Sequence, residues 1–219
     1  MPIKALIFDY DGVLVESETN SFKLLKSILK KRHAIAIPQE LFAKKIGRSS
    51  QTFLIEYFSD RLSSAEIDGT YQEYLKTFQA GIAKYSTVHK QVIATIRKAA
   101  KTHKIAIASM SPRLRIETML GVLGIEDLIA SLIAIEDVAH HKPDPEVYIK
   151  TLANLDISAD EAVVIEDTAV GAQAGIAAGI KVIGLVNGVS SVDDFAGVAV
   201  AQITTLDNFE TDFLLIASY

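Results

Sequence analysis

Two aspartates one residue apart, Asp9 and Asp11, close a short apolar run and are followed at once by Gly12. At the end of a strand this spacing puts two carboxyl groups beside one substrate. The first can attack phosphorus and form an acyl-phosphate. The second can protonate the leaving oxygen and later deprotonate water. The same Asp-x-Asp-Gly segment is equally an ordinary solvated turn, and on these residues alone the two readings stand level.

Three further polar groups stop or follow apolar runs. Ser109 ends the run K-I-A-I-A, and its hydroxyl with the next backbone N–H, that of Met110, could hold phosphoryl oxygens. Ser111, two residues on, reads as a helix cap before Pro112. Lys142, fixed by the following Pro143, could neutralise an attacking carboxylate and a phosphoryl group; a lone lysine is otherwise a surface residue. Glu166 and Asp167 end another apolar run, where Asp167 could also cap the next helix. Brought together, Asp9, Asp11, Glu166 and Asp167 would repel one another and raise each other's pKa. A divalent cation relieves that repulsion, and an oxygen-only donor set suits Mg²⁺.

The elements that must position these groups are readable. Residues 3–8, 104–108, 132–135, 162–165 and 181–186 are short apolar runs with polar stops, and 198–203 is a weaker sixth. Apolar on both faces, they predict buried parallel strands, with helical patterns between them in βαβ rhythm. In such a sheet the carboxyl ends of the strands form the ligand crevice, which is where the polar stops fall. Helices are predicted over 88–103, from Ser111-Pro112 to a stop at Gly124, after Pro145, and after Thr168. Gly171, Gly175 and Gly179 recur every fourth residue, a spacing that fits close helix–sheet packing.

Residues 17–85 break the rhythm. They hold no strand-like run but several helical stripes: Phe22, Leu25, Ile28 and Leu29, then Ile67, Tyr71, Tyr74, Leu75, Phe78 and Ile82. Ser63 with Glu66 forms a capping box at the start of the second stripe. Shorter helices are predicted over 38–46 and 51–58. The block reads as a helical domain inserted between the first and second strands, the core being 1–16 with 86–219.

The composition narrows the classes. The chain has 219 residues, 22 Lys+Arg against 27 Asp+Glu, and no cysteine. Without cysteine, disulfide frameworks, thiolate zinc sites, Fe–S clusters and thiol nucleophiles are excluded. A net charge of -5 argues against a nucleic-acid partner. No run reaches the ~18 apolar residues of a membrane span, so no membrane association and a cytoplasmic location are expected. Neighbouring His140 and His141 point different ways without a supporting ligand and read as loop residues. His33, His89 and His103 lie in charged helical contexts and are expected to be solvated.

Taken together, F-D-Y-D-G-V-L-V-E-S-E from Phe8, I-A-S-M-S from Ile107, K-P-D-P-E-V-Y from Lys142 and V-I-E-D-T-A-V-G-A-Q-A-G from Val164 resemble the haloacid dehalogenase superfamily. The branch they are most similar to is that of β-phosphoglucomutase and phosphoglycolate phosphatase. The resemblance implies an α/β fold, a Rossmann-like parallel sheet core with an inserted α-helical cap at 17–85. It implies Asp9 as nucleophile, Asp11 as general acid and base, and Ser109, Met110 and Lys142 on the phosphoryl group. Mg²⁺ would be held by Asp9, the Asp11 carbonyl and Asp167, with Glu166 acting through water. Lys44, Lys45 and Arg48 match a cap loop that contacts substrate in relatives.

The implied activity is a Mg²⁺-dependent phosphatase of a small phosphorylated metabolite, foremost a sugar phosphate. The alternative is a phosphosugar mutase. Mutases of this branch carry a cap histidine near the position of Ser21, and Asn20-Ser21-Phe22 has none. The expected assembly state is a monomer, with a weak homodimer as the alternative.

Overall fold

A computed structural model describes residues 2–45 and 49–209. Along the chain come β1 (Ala5–Phe8), β2 (Val15–Glu16), α1 (Glu18–His33), α2 (Phe42–Lys45), α3 (Ser50–Phe58), α4 (Ser64–Ala80) and α5 (Ile82–Tyr85). They are followed by β3 (Thr87–Val88), α6 (Lys90–Ala99), β4 (Lys104–Ala108), α7 (Arg113–Leu123), β5 (Ile129–Ile133), α8 (Glu146–Leu155), β6 (Ala162–Glu166), α9 (Ala169–Ala177), β7 (Lys181–Val186) and β8 (Gln202–Thr205). The chain divides into two compact units, 1–16 with 88–219, and 17–87.

The first unit is built on a six-stranded sheet of order β5-β4-β1-β6-β7-β8. Every neighbouring pair is parallel. The chain moves outward from β1 to β4 and β5, then returns to the other side of β1 for β6, β7 and β8. β1 therefore lies where the winding reverses, the place where such sheets open a crevice at their carboxyl ends. All four residues of β1 and all five of β6 are buried, as continuous apolar runs in a covered parallel sheet should be. Ala5, Ile7, Val164 and Val182 share one core with Val147, Tyr148, Ala172 and Ala174 of the covering helices.

Two strands match the sequence reading residue for residue, β4 and β7. The edge strands are displaced. β5 begins three residues before the predicted 132–135 and ends at Ile133, because Ile135–Asp137 closes instead as a single 3₁₀ turn. β8 starts at Gln202, after the apolar residues Val198 and Val200, which pack against the core from the preceding loop. The helix after β4 also differs: its cap position is Pro112, with no side-chain cap, so Ser111 does not cap it. Thr168, not Asp167, caps α9 by accepting from the Gly171 N–H at 3.1 Å. Gly124 ends α7 with left-handed backbone, as its position predicts.

The second unit is helical. Its core is aromatic: the Phe22 ring lies 5.3 Å from that of Phe42 and 6.2 Å from that of Phe53, which meets Phe58 at 5.9 Å. The predicted capping box is present, with the Ser63 N–H donating to Glu66 and the Glu66 N–H to Ser63 Oγ. Along α4, Ile67, Tyr74 and Phe78 are buried, but Leu75 is exposed, so the stripe is narrower than the sequence suggests. Ser21 is buried, hydrogen-bonded to the Tyr74 hydroxyl at 2.7 Å.

Candidate active site

Register alone brings three strand ends together. Phe8 pairs with Ile107 on one side and Ile165 on the other. The next residue, Asp9, thus stands between Ala108 of β4 and Glu166 of β6, and its N–H donates to the Ile165 carbonyl at 3.0 Å. These side chains are buried because the crevice floor is the sheet itself.

Lys142 ties the group together. Its Nζ donates to Asp9 Oδ1 at 2.7 Å, to Glu166 Oε1 at 2.7 Å and to the Ala108 carbonyl at 3.0 Å, which uses all three ammonium protons. The ammonium also lies 5.0 Å from the centre of the Tyr148 ring, whose hydroxyl donates to the same Glu166 oxygen at 3.1 Å. The peptide bond between Lys142 and Pro143 is cis. Burial opposes the charge on Lys142, but Asp9 and Glu166 outweigh it and hold the ammonium well above its ordinary pKa. Burial pushes the Asp9 carboxyl up to about 7, against the pull of Lys142 and with Glu166 and Asp11 adding repulsion.

Glu166 has both oxygens committed. Oε1 takes Lys142 and Tyr148; Oε2 takes the Thr168 N–H at 3.1 Å and its hydroxyl at 3.0 Å. Gly171 is required by this approach, because a Cβ there would fall 1.7 Å from Glu166 Oε1. Gly175 does serve sheet packing, with its Cβ direction aimed 2.7 Å from Val182.

Asp167 is the unsatisfied member. Its Oδ2 accepts from Asn187 Nδ2 at 2.9 Å, and the same amide reaches the Gly12 carbonyl at 2.7 Å. Its Oδ1 is buried with no hydrogen-bond partner among the described residues. Burial, then Glu166 and Asp9, raise its carboxyl well above the ordinary range. Gly12, at φ +80°, is a glycine for two reasons: the backbone is left-handed, and a Cβ would land 1.8 Å from Asp167 Oδ2. A buried carboxylate oxygen left without a partner costs several kcal/mol. A hard cation held by Asp167 and its oxygen-bearing neighbours offsets that cost, and the set contains no nitrogen or sulfur donor. The residues present fit Mg²⁺.

Asp11 faces another way. Its Oδ2 accepts from the Ser111 hydroxyl, and its Oδ1 from Arg115 Nη2 at 2.7 Å. Ser109 is buried, its hydroxyl accepting from the Ser111 N–H at 3.2 Å, and Met110 is half-buried beside it. Within the sheet unit, then, Asp9, Lys142 and Glu166 are directly bonded, Asp167 follows Glu166, and Asp11 hangs from the start of α7. Lys45 belongs to the helical unit, where it donates to Glu18 at 2.9 Å. Arg48 lies outside the described residues.

Sequence reasoning missed Arg115, Asn187 and Tyr148. Arg115 is one turn beyond Ser111, and Asn187 directly follows β7, so the rule that polar residues at strand ends face the crevice would have found the second. His89 corrects an expectation: it is buried, its ring Nδ1 bonds the Val13 carbonyl at 2.9 Å, and burial lowers its pKa. His140 is an exposed loop residue. With Asp144 and Glu146 it brings candidate ligand atoms within 4.8 Å of one another, but Glu146 already accepts from the Ala139 and His140 N–H groups and from Lys150. That network shapes the loop carrying Lys142.

The family model described as haloacid dehalogenase-like hydrolase matches residues 6–185. The chain belongs to this family and is an enzyme of the hydrolase class. YhcW of Bacillus subtilis, which carries a provisional phosphatase name, is 29% identical over 183 residues, covering 82% of this chain and 81% of that one. The phosphorylated carbohydrates phosphatase of Thermotoga maritima is 25% identical over 182 residues, covering 82% and 83%. Among solved structures, a hydrolase of the same family from Deinococcus radiodurans, crystallised with bound phosphate and sodium, is 26% identical. It superposes with a TM-score of 0.78 over 99% of this chain and 96% of that one.

Proposed function

We propose that this chain is a Mg²⁺-dependent phosphatase of small phosphorylated metabolites, foremost sugar phosphates, working through an aspartyl-phosphate. The observation that carries the reading is the single ammonium of Lys142 bonded to both Asp9 and Glu166. It keeps one carboxylate of a crowded acidic crevice fixed in place and counters its charge. The names of the two curated relatives support a phosphate-ester hydrolase, and that of the Thermotoga protein supports a sugar phosphate as substrate.

In this reading Asp9 Oδ attacks the phosphorus of a phosphate monoester. The P–O bond to the alcohol breaks as the aspartyl-phosphate forms, and Asp11 gives its proton to the departing oxygen. Asp11 then takes a proton from water, whose oxygen attacks the phosphoryl group and restores the Asp9 carboxylate. Ser109 and the Met110 N–H hold the phosphoryl oxygens, and Lys142 joins them by exchanging one of its three present bonds. Asp9, the Asp11 carbonyl and Asp167 would hold Mg²⁺, with Glu166 outside them because its oxygens are already engaged. The ion would supply charge neutralisation to the phosphoryl oxygens. Substrate choice falls to the helical cap unit, Lys45 and Arg48 included. In this reading the enzyme is a cytoplasmic monomer, with a weak homodimer as the alternative.

A screen of phosphorylated metabolites with and without Mg²⁺, reading released phosphate, tests the proposal. Turnover is expected with Mg²⁺ and should vanish in Asp9→Ala. Turnover surviving in Asp9→Ala would reject the mechanism. An isomerised sugar phosphate with little free phosphate, dependent on added sugar bisphosphate, would replace the phosphatase with a mutase.

A further inference from the structure

The carboxylate of Asp11 is held at both oxygens by residues that the chemistry above does not use. The Ser111 hydroxyl donates to Oδ2 and Arg115 Nη2 to Oδ1. Neither contact is a loose surface pair. Ser111 is buried, its own N–H bonded to Ser109 Oγ, and it is free of any capping duty because α7 starts from Pro112. The Arg115 side chain is only 20% exposed, and its guanidinium carbon lies 5.7 Å from the centre of the buried Tyr10 ring. A largely buried guanidinium beside a buried ring has little freedom, which limits the directions its N–H groups can take.

We infer that Ser111 and Arg115 are positioning residues for proton transfer by Asp11; the inference rests on the reading of Asp11 as general acid and base. The two partners differ in kind, a charged planar guanidinium on Oδ1 and a neutral hydroxyl on Oδ2. One fixed donor on each oxygen sets the plane of the carboxylate and opposes its rotation, so the pair acts through the orientation of Asp11.

The test uses two esters that differ in their need for an acid: p-nitrophenyl phosphate, whose leaving group departs unaided, and glucose 6-phosphate, whose alkoxide needs a proton. General acid catalysis contributes about 10²–10⁴-fold. Arg115→Ala should lower kcat on glucose 6-phosphate by roughly a hundredfold and on p-nitrophenyl phosphate by less than about tenfold, with KM nearly unchanged. Ser111→Ala should show the same preference at smaller size, and Arg115→Lys should recover part of the loss. In an Asp11→Asn background, Arg115→Ala should add almost nothing. Equal losses on the two esters, or a full-sized further loss in the Asp11→Asn background, would overturn the inference. If Asp11→Asn itself fails to discriminate between the esters, the failure lies in the role given to Asp11, and the positioning role falls with it.

Discussion

The two units of this molecule bury different things. In the sheet unit the crevice encloses Asp9, Lys142, Glu166 and Asp167, nearly all cross-bonded, over a floor of parallel strands. In the helical unit the interior is a run of rings, from Phe22, Phe53 and Phe58 to Tyr74 and Phe78, with the buried Ser21 hydroxyl bonded to that of Tyr74. A hydrophobic core gains stability from every group it hides. A charged crevice gains little from each and loses heavily when one partner goes. The contrast separates a scaffold organised for reaction from one organised for packing, and substitutions in each should fail differently.

Lys142→Ala should give the largest effect. It leaves Asp9 and Glu166 facing each other without their shared cation, so turnover should fall by orders of magnitude and stability by about 3–5 kcal/mol. Steady-state kinetics and urea denaturation read the two losses. A variant with normal turnover would break the comparison, because it would make the crevice incidental. Phe53→Ala should cost about 3 kcal/mol through lost ring contacts and the cavity left behind, seen as a lower denaturation midpoint. A loss below 1 kcal/mol would mean that the rings of the helical unit are not its core. Ser63→Ala removes the capping box and should cost about 1 kcal/mol.

The smallest effect concerns the loop behind Lys142. The hydrogen bond from Lys150 and those from the Ala139 and His140 N–H groups lower the Glu146 carboxyl from 4.5 to about 2. A carboxyl depressed in the folded state stabilises above its unfolded value and loses that contribution as pH falls through the folded one. The stability gap between the wild type and Glu146→Gln should therefore be full above about pH 4.5 and close as pH falls toward 2. A gap unchanged over that range would remove Glu146 from the support of the lysine loop.

Much of this was legible in the residues. The four flanked strands could be bounded to within two residues, β4 and β7 residue for residue, because their apolar runs end at polar stops such as Ser109 and Asn187. β5 and β8 lie at the sheet edges, where exposure mixes polar residues into the strand and the apolar run no longer marks its limits. Asp9 and Glu166 were found because each closes an apolar run, whereas Lys142 lies well past its run and was placed by the resemblance of K-P-D-P-E-V-Y. Arg115 was not, because its partner lies 104 positions away in sequence and its own helix offers no periodic signal for it. Ser111 misled for a local reason: Ser-Pro is a sound helix start, and only the fold shows that Asp11 claims the hydroxyl. Gly171 was read for packing, whereas a carboxylate from the preceding strand end requires it.

The central claim is that Asp9 itself carries the phosphoryl group. Turnover mixtures containing Mg²⁺ and a phosphate monoester, quenched in acid within the first turnover and analysed by mass spectrometry, test it most directly. The account predicts a transient chain bearing one added phosphoryl group, mapped to Asp9, labile to hydroxylamine and absent from Asp9→Asn. Sustained phosphate release with the group on any other residue, or from an Asp9→Asn enzyme, would contradict it.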